Sequence, residues 1–171
     1  MSFRDVEEEL IAEVIKYTAY IITNVIKPKK LVYIAIDGPV PMGKIVKQRA
    51  RRYKSVQDEY YKRKMMEKNG IQPKLEFNGN KITPGTPFMS KLCNRLKNCI
   101  MLGTLSCHIK NPQKQFKIFM SDANIPGEGE QKIMQFIKSG FSKPNGERPK
   151  MTIYGLDADL IVLSMALNIR H

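Results

Sequence analysis

A chain of 171 residues is the size of one domain, and 42% apolar with 26% charged residues excludes both a disordered polyelectrolyte and a membrane protein. The formal net charge of +13 favours a polyanionic partner, nucleic acid first, although basic helix faces that only keep a protein soluble would give the same excess. Cys93, Cys99 and Cys107 are odd in number and lack CxxC spacing, which argues against a disulfide framework or a zinc site and for a reducing compartment.

The segment Met1 to Glu9 is acidic, and no stretch reaches the ~18 apolar residues of a membrane span. A soluble, intracellular protein is expected, cytoplasmic before nuclear. Ser2, three residues ahead of Asp5, resembles a capping box, and Val6, Leu10, Ile11, Val14, Ile21, Ile22 and Val25 recur at helical spacing until Pro28. Leu31 to Ile36 reads as a buried strand ending in Asp37-Gly38-Pro39.

From about Lys44 to Lys68 the chain has neither Gly nor Pro, so a long and very basic helix is expected, stopped at Asn69-Gly70. An irregular stretch from Ile71 to Lys81 leads to the turn Thr83-Pro84-Gly85-Thr86-Pro87, which delivers the chain into a helix from about Phe88 to past Met101. Phe116 to Met120 is a second strand, Gly129 to Lys138 a helix, Gly140 to Pro149 a loop, and Met151 to Tyr154 a third strand. Strands alternating with helices predict one α/β domain with a mostly parallel sheet flanked by helices, whose ligands gather beyond the carboxyl ends of the strands.

Asp37 closes the first strand, Glu128 and Glu130 lie past the second, and Asp157 and Asp159 past the third. Residues two apart in an extended or turn segment point the same way, so each pair can offer oxygens to one point. Hard oxygen ligands suit Mg²⁺ or Mn²⁺, and two such ions ~4 Å apart support phosphodiester hydrolysis. Acids at a helix start also complement its dipole, and Asp157 also suits the cap of a following helix. Five acids at three strand ends of so basic a protein favour the site over coincidence.

Lys44, Gln48, Arg51 and Arg52 share one face of the basic helix. Guanidinium groups bind phosphate through paired donors, and the helix N-terminus favours an anion. A terminal phosphate held there would set the first phosphodiester at a fixed distance from the acids, as an exonuclease acting from a 5′ end requires. His108 reads as a helix-end or loop residue rather than a ligand.

Four segments in order resemble the signatures of the XRN family of 5′-to-3′ exoribonucleases: IKPKKLVYIAIDGPVPMGKIVKQRARR (26–52), ITPGT with Phe88-Met89 close behind, PGEGEQKIM (126–134) and YGLDADL (154–160). The resemblance implies a PIN/5′-nuclease-like fold in which Asp37, Glu128, Glu130, Asp157 and Asp159 hold Mg²⁺ or Mn²⁺. It implies that Lys44, Gln48, Arg51 and Arg52 bind the 5′-monophosphate of single-stranded RNA, which is released as mononucleotides. The family's domain also has an earlier strand with another metal-binding Asp and a base-stacking His, and later an Asp and a stacking Trp. Asp5 lies in a helix start and the chain has no Trp, so a domain incomplete at both ends is expected. Departures such as Val40, Gly43, Lys81, Pro87 and Gln131 remove none of these ligands. Two other functions stay open: a weak or inactive module that binds RNA 5′ ends, and a flap-type structure-specific nuclease, against which the basic face and the ITPGT turn argue.

Overall fold

In a computed structural model of the chain, residues 3–72, 77–105, 116–139 and 150–166 are described. Ser2 of the expected capping box, Cys107, His108 and the expected loop from Gly140 to Pro149 lie outside them.

The first helix, α1 (Phe3–Tyr20), passes into a π-helical turn at Ile21–Ile26 that ends at Lys27, in the left-handed region with φ 49°. The Lys27 N–H reaches the Ile22 carbonyl at 3.0 Å, and Pro28, which cannot donate, follows directly. Strand β1 (Leu31–Ala35) comes next, then α2 (Met42–Lys68), a 3₁₀ turn (Gly79–Lys81) and α3 (Pro87–Met101). The ITPGT turn caps α3: Gly85 has φ 87°, the Thr86 hydroxyl accepts the Met89 N–H at 3.3 Å, and Pro87 opens the helix. Strand β2 (Lys117–Ser121), α4 (Gly129–Lys138) and α5 (Asp159–Ala166) complete the described elements.

β1 and β2 run parallel in the register Leu31↔Lys117 to Ala35↔Ser121, with α2 and α3 in the crossover that a parallel pair needs. Alternation along the strands sends Tyr33 and Phe119 to one face and Ile36 and Met120 to the other. Tyr33 stacks on Phe136 of α4, ring centroids 4.0 Å apart, whereas Ile36 and Met120 pack on the core of Ile11 from α1 and Phe88, Leu92 and Leu96 from α3. The sheet thus lies between α1 and α3 on one side and α4 on the other. Ion pairs join α1 to α3 and its approach: Glu7 to Lys81 at 2.6 Å and to Lys91 at 3.5 Å, and Glu8 to Arg95 at 3.1 Å.

The helix-rich α/β architecture with a parallel sheet agrees with the sequence, but the third strand does not form. Among the described residues the sheet has two strands, and residues 151–155 are irregular. A parallel strand needs cover on both faces, yet Met151 and Tyr154 are exposed, and the Tyr154 hydroxyl lies 3.5 Å from that of Tyr17 on α1.

Beyond β1 the chain turns at Gly38, which is buried and donates its N–H to the Gly127 carbonyl at 2.9 Å. A Cβ there would overlap the backbone carbonyl of Ile125, and a backbone atom does not yield by changing rotamer. Gly38→Ala is therefore expected to destabilise the fold by about 2–4 kcal/mol, read as an earlier urea midpoint.

Candidate active site

Two glycine-dependent turns meet beyond the carboxyl ends of the strands. The Gly38 N–H bonds the Gly127 carbonyl and the Gly127 N–H bonds the Pro39 carbonyl at 3.0 Å, so the Asp37 turn and the PGEGE turn are laced backbone to backbone. Gly127 has φ 108°, a conformation L side chains rarely adopt. Gly129 opens α4, and a Cβ there would stand 3.2 Å from the Asp37 Oδ1 and 3.3 Å from the Ala35 carbonyl. The missing side chain lets the Gly129 N–H donate to the Asp37 Oδ1 at 2.6 Å, so the positive end of α4 faces this carboxylate.

Glu130, in the first turn of α4, points toward Asp157 and Asp159, and one oxygen from each of the three lies within 4.8 Å of the others. Burial first, and then the charges of Asp157, Glu128, Asp159 and Asp37, push the Glu130 carboxyl above its ordinary value. Asp157 also accepts the Asp159 N–H at 3.0 Å, so the capping role open to it in the sequence coexists with the clustering. Glu128 does not share a point with Glu130. It stands just outside α4, where its extended backbone directs the side chain to Lys44, with Nζ and Oε2 2.6 Å apart. The two glutamates therefore face different partners, Glu128 from the extended residue before α4 and Glu130 from within its first turn.

Lys44 lies in the first turn of α2, and its ammonium is held above the usual lysine value by the hydrogen bond to Glu128, with further help from the charges of Glu128, Glu130 and Asp159. One turn on, Gln48 accepts a hydrogen bond from Arg52 at 3.0 Å, and the exposed Arg51 lies beside them on the helix. The start of the basic face and the carboxylates are therefore in contact. Of the helix's residues none is buried, and its ten Lys and Arg against three acids carry more than half of the chain's net charge of +13.

Carboxylate oxygens are the whole donor set of the Glu130, Asp157 and Asp159 cluster, which suits a hard divalent cation rather than zinc or copper. The upward push on Glu130 has the same origin, negative charge in a partly buried place that a cation would relieve. The residues present fit such an ion.

Lys132 and Asp122, with its partners Lys97 and Asn124, are not evident as site residues from the sequence. Lys132 is 4% exposed, and its Nζ donates to the carbonyls of Ile36 at 2.7 Å and Asp122 at 2.8 Å. Burial lowers its pKa, opposed by the charges of Asp122 and Asp37. Asp122, 5% exposed just past β2, is bonded by the Lys97 ammonium from α3 and by the Asn124 N–H at 2.9 Å, which together hold its carboxyl below the usual range. Lys132 falls three residues after Gly129 and four before Phe136, on the stripe of α4 that faces the sheet, which only the stacking of Phe136 on Tyr33 reveals.

A family profile described as the XRN 5′-3′ exonuclease N-terminus matches residues 1–171. The chain is 37% identical over 182 residues to the 5′-3′ exoribonuclease 2 of Emericella nidulans and 38% identical over 183 residues to that of Neurospora crassa, in each case over 96% of this chain and 17% of the relative. It is 36% identical over 185 residues to the Saccharomyces cerevisiae protein of the same name, over 98% of this chain and 18% of that protein. The chain thus spans less than a fifth of the length of these relatives. No described helix is long and apolar enough to cross a membrane.

Proposed function

The chain belongs to the XRN 5′-3′ exonuclease family, and on that premise we propose that it is the nuclease portion of a divalent-metal-dependent 5′-to-3′ exoribonuclease acting on 5′-monophosphorylated single-stranded RNA. The observation that carries this reading is the contact of Lys44 with Glu128, 2.6 Å across, beside Glu130 and Asp159. It joins a phosphate-binding surface to a carboxylate cluster. A 5′ phosphate held by Lys44, Gln48, Arg51 and Arg52 leaves the first internucleotide linkage within reach of the acids, so the cut releases a mononucleotide and exposes a new 5′ phosphate.

In this reading Glu130, Asp157 and Asp159, with Asp37 and Glu128 beside them, hold Mg²⁺ or Mn²⁺. Such ions supply an activated water and neutralise charge on the leaving oxygen. The chain's own part is orientation. The Gly129 N–H fixes Asp37, the cap on Asp159 fixes the Asp157 carboxylate, and the basic face aligns the RNA end before the chemistry.

The test is to incubate the chain with Mg²⁺ and single-stranded RNA bearing either a 5′-monophosphate or a 5′-hydroxyl, following nucleotide release and complex formation. Stepwise mononucleotide release from the phosphorylated RNA supports the proposal. Phosphate-dependent binding without release would instead make the chain an end-binding module, and cleavage of branched DNA in preference to RNA would make it a flap-type nuclease. Arg51→Ala is expected to reduce the preference for a 5′-monophosphate about tenfold, read as the ratio of the two substrates' binding constants, with the melting temperature unchanged because Arg51 is exposed.

A further inference from the structure

We infer that Lys132 is a positioning residue of the candidate active site: its buried ammonium clamps the carboxyl ends of both strands and so sets the place of Asp37 relative to α4. The inference rests on the reading of the neighbouring acids as metal-holding residues.

The geometry is specific. Lys132 is 4% exposed, and its Nζ bonds no carboxylate, donating instead to the carbonyls of Ile36 at 2.7 Å and Asp122 at 2.8 Å. Those carbonyls stand just past β1 and β2, beyond the bond from the Ile36 N–H to the Ser121 carbonyl at 2.9 Å that closes the pairing. The strand end is then joined to α4 twice, once through the Ile36 carbonyl on Lys132 and once through the Asp37 carboxylate on the Gly129 N–H. Both bonds come from one turn of one helix, and Glu130 projects from that same turn. Lys132 thereby adds to the backbone lacing a second hold on the separation of Asp37 and Glu130, without touching either carboxylate. Close approach is required for this, because a Cβ on Gly38 would lie only 3.2 Å from the ammonium nitrogen.

A side chain kept only for folding would be served as well by an apolar residue, since the core on the opposite face of the sheet is built from Ile, Leu, Met and Phe. A lysine here must be desolvated, and it returns two directed bonds to the backbone of the site.

Lys132→Met keeps length and apolar packing but removes the donors, and Lys132→Gln keeps a neutral donor. Three quantities would be measured at equal folded fraction, established by circular dichroism: Mn²⁺ affinity by electron paramagnetic resonance, binding of a 5′-phosphorylated oligoribonucleotide in EDTA, and cleavage. For Lys132→Met, Mn²⁺ affinity is expected to fall about 10- to 100-fold, as on loss of a group that orients metal ligands. RNA-end binding should stay within about twofold, because Lys44, Gln48 and Arg51 lie on another helix, and the loss in cleavage should lie in kcat rather than KM. Lys132→Gln is expected between wild type and Met, and it carries the test alone should the Met variant fail to fold.

The direction is diagnostic, since removing a positive charge near a cation site would tighten cation binding if charge alone mattered. Unchanged or tighter Mn²⁺ binding in a folded variant, or equal losses of metal and RNA-end binding, would overturn the inference. Wild-type protein that binds no Mn²⁺ would overturn the metal reading itself and this inference with it, whereas wild-type binding with an unaffected variant would sink the inference alone.

Discussion

Glu130→Gln is expected to lower mononucleotide release about a thousandfold or more while leaving the binding of 5′-phosphorylated RNA in EDTA intact. Glu130 is the member of the cluster on which the other acids converge: Asp157 and Asp159 each place an oxygen within 4.8 Å of its own, and Glu128 and Asp37 add to the field on it. Replacing the carboxylate by an amide keeps its shape and removes the charge that would attract a divalent ion. The residues proposed to bind the phosphate are on α2 and lose no bond, because Glu130 accepts none from them. A second readout is independent of activity. Without divalent ions the variant should melt no lower than wild type and somewhat higher, since a partly buried charge among like charges has been removed. Mn²⁺ should raise the melting temperature of the wild type more than that of the variant, by linkage of binding to folding. A variant that cuts RNA at the wild-type rate would refute the assignment of the cluster.

Glu128→Gln should separate binding from cleavage further still, raising the one while lowering the other. In the structure Lys44 is committed to Glu128 at 2.6 Å, so on the proposed reading a 5′ phosphate must draw the ammonium away from a carboxylate before it gains the full interaction. With glutamine in place of Glu128 that competition ends and one repelling charge disappears. Binding of 5′-phosphorylated RNA in EDTA is then expected to tighten about two- to fivefold, a modest gain because the Lys44 side chain is 57% exposed and its ion pair is screened. Cleavage should nevertheless fall about a hundredfold, because the amide is a poorer ligand for a hard cation than the carboxylate. Fluorescence anisotropy with a 5′-phosphorylated and a 5′-hydroxyl oligoribonucleotide gives the first quantity and product release the second. Weaker binding of the phosphorylated end by Glu128→Gln would mean that Lys44 depends on Glu128 for its position, and the competition would be discarded.

Both experiments bear on the same arrangement, in which acids and bases that are far apart in sequence share one edge of the sheet. Lys44 and Glu128 are separated by 84 positions and Asp37 and Gly129 by 92, yet each pair is in hydrogen-bond contact. The lacing of the turns at Gly38 and Gly127 is what brings them together. Substitutions at those glycines are thus expected to act on the acids and the basic face alike, unlike a change at Glu130.

Local chemistry in the sequence was enough to locate α2, the capped start of α3, the body of α4 and both paired strands. These follow from short-range causes: the absence of Gly and Pro between Lys44 and Lys68, Thr86 and Pro87 at a helix start, and short β-branched runs ending in polar turns. The family was likewise legible, because its motifs are contiguous stretches whose order survives without any knowledge of the fold. Three matters were decided only by tertiary structure. Residues 151–155 have the composition of a strand but take no ladder partner, since pairing depends on what lies alongside and not on the segment itself. Glu128 and Glu130, equivalent in spacing, part company because the helix begins between them, sending one carboxylate to Lys44 and the other to Asp157 and Asp159. Lys132 looked like one more surface charge among 29 Lys and Arg residues, and only the packing of α4 on the strand ends turned its ammonium inward to the backbone carbonyls of Ile36 and Asp122.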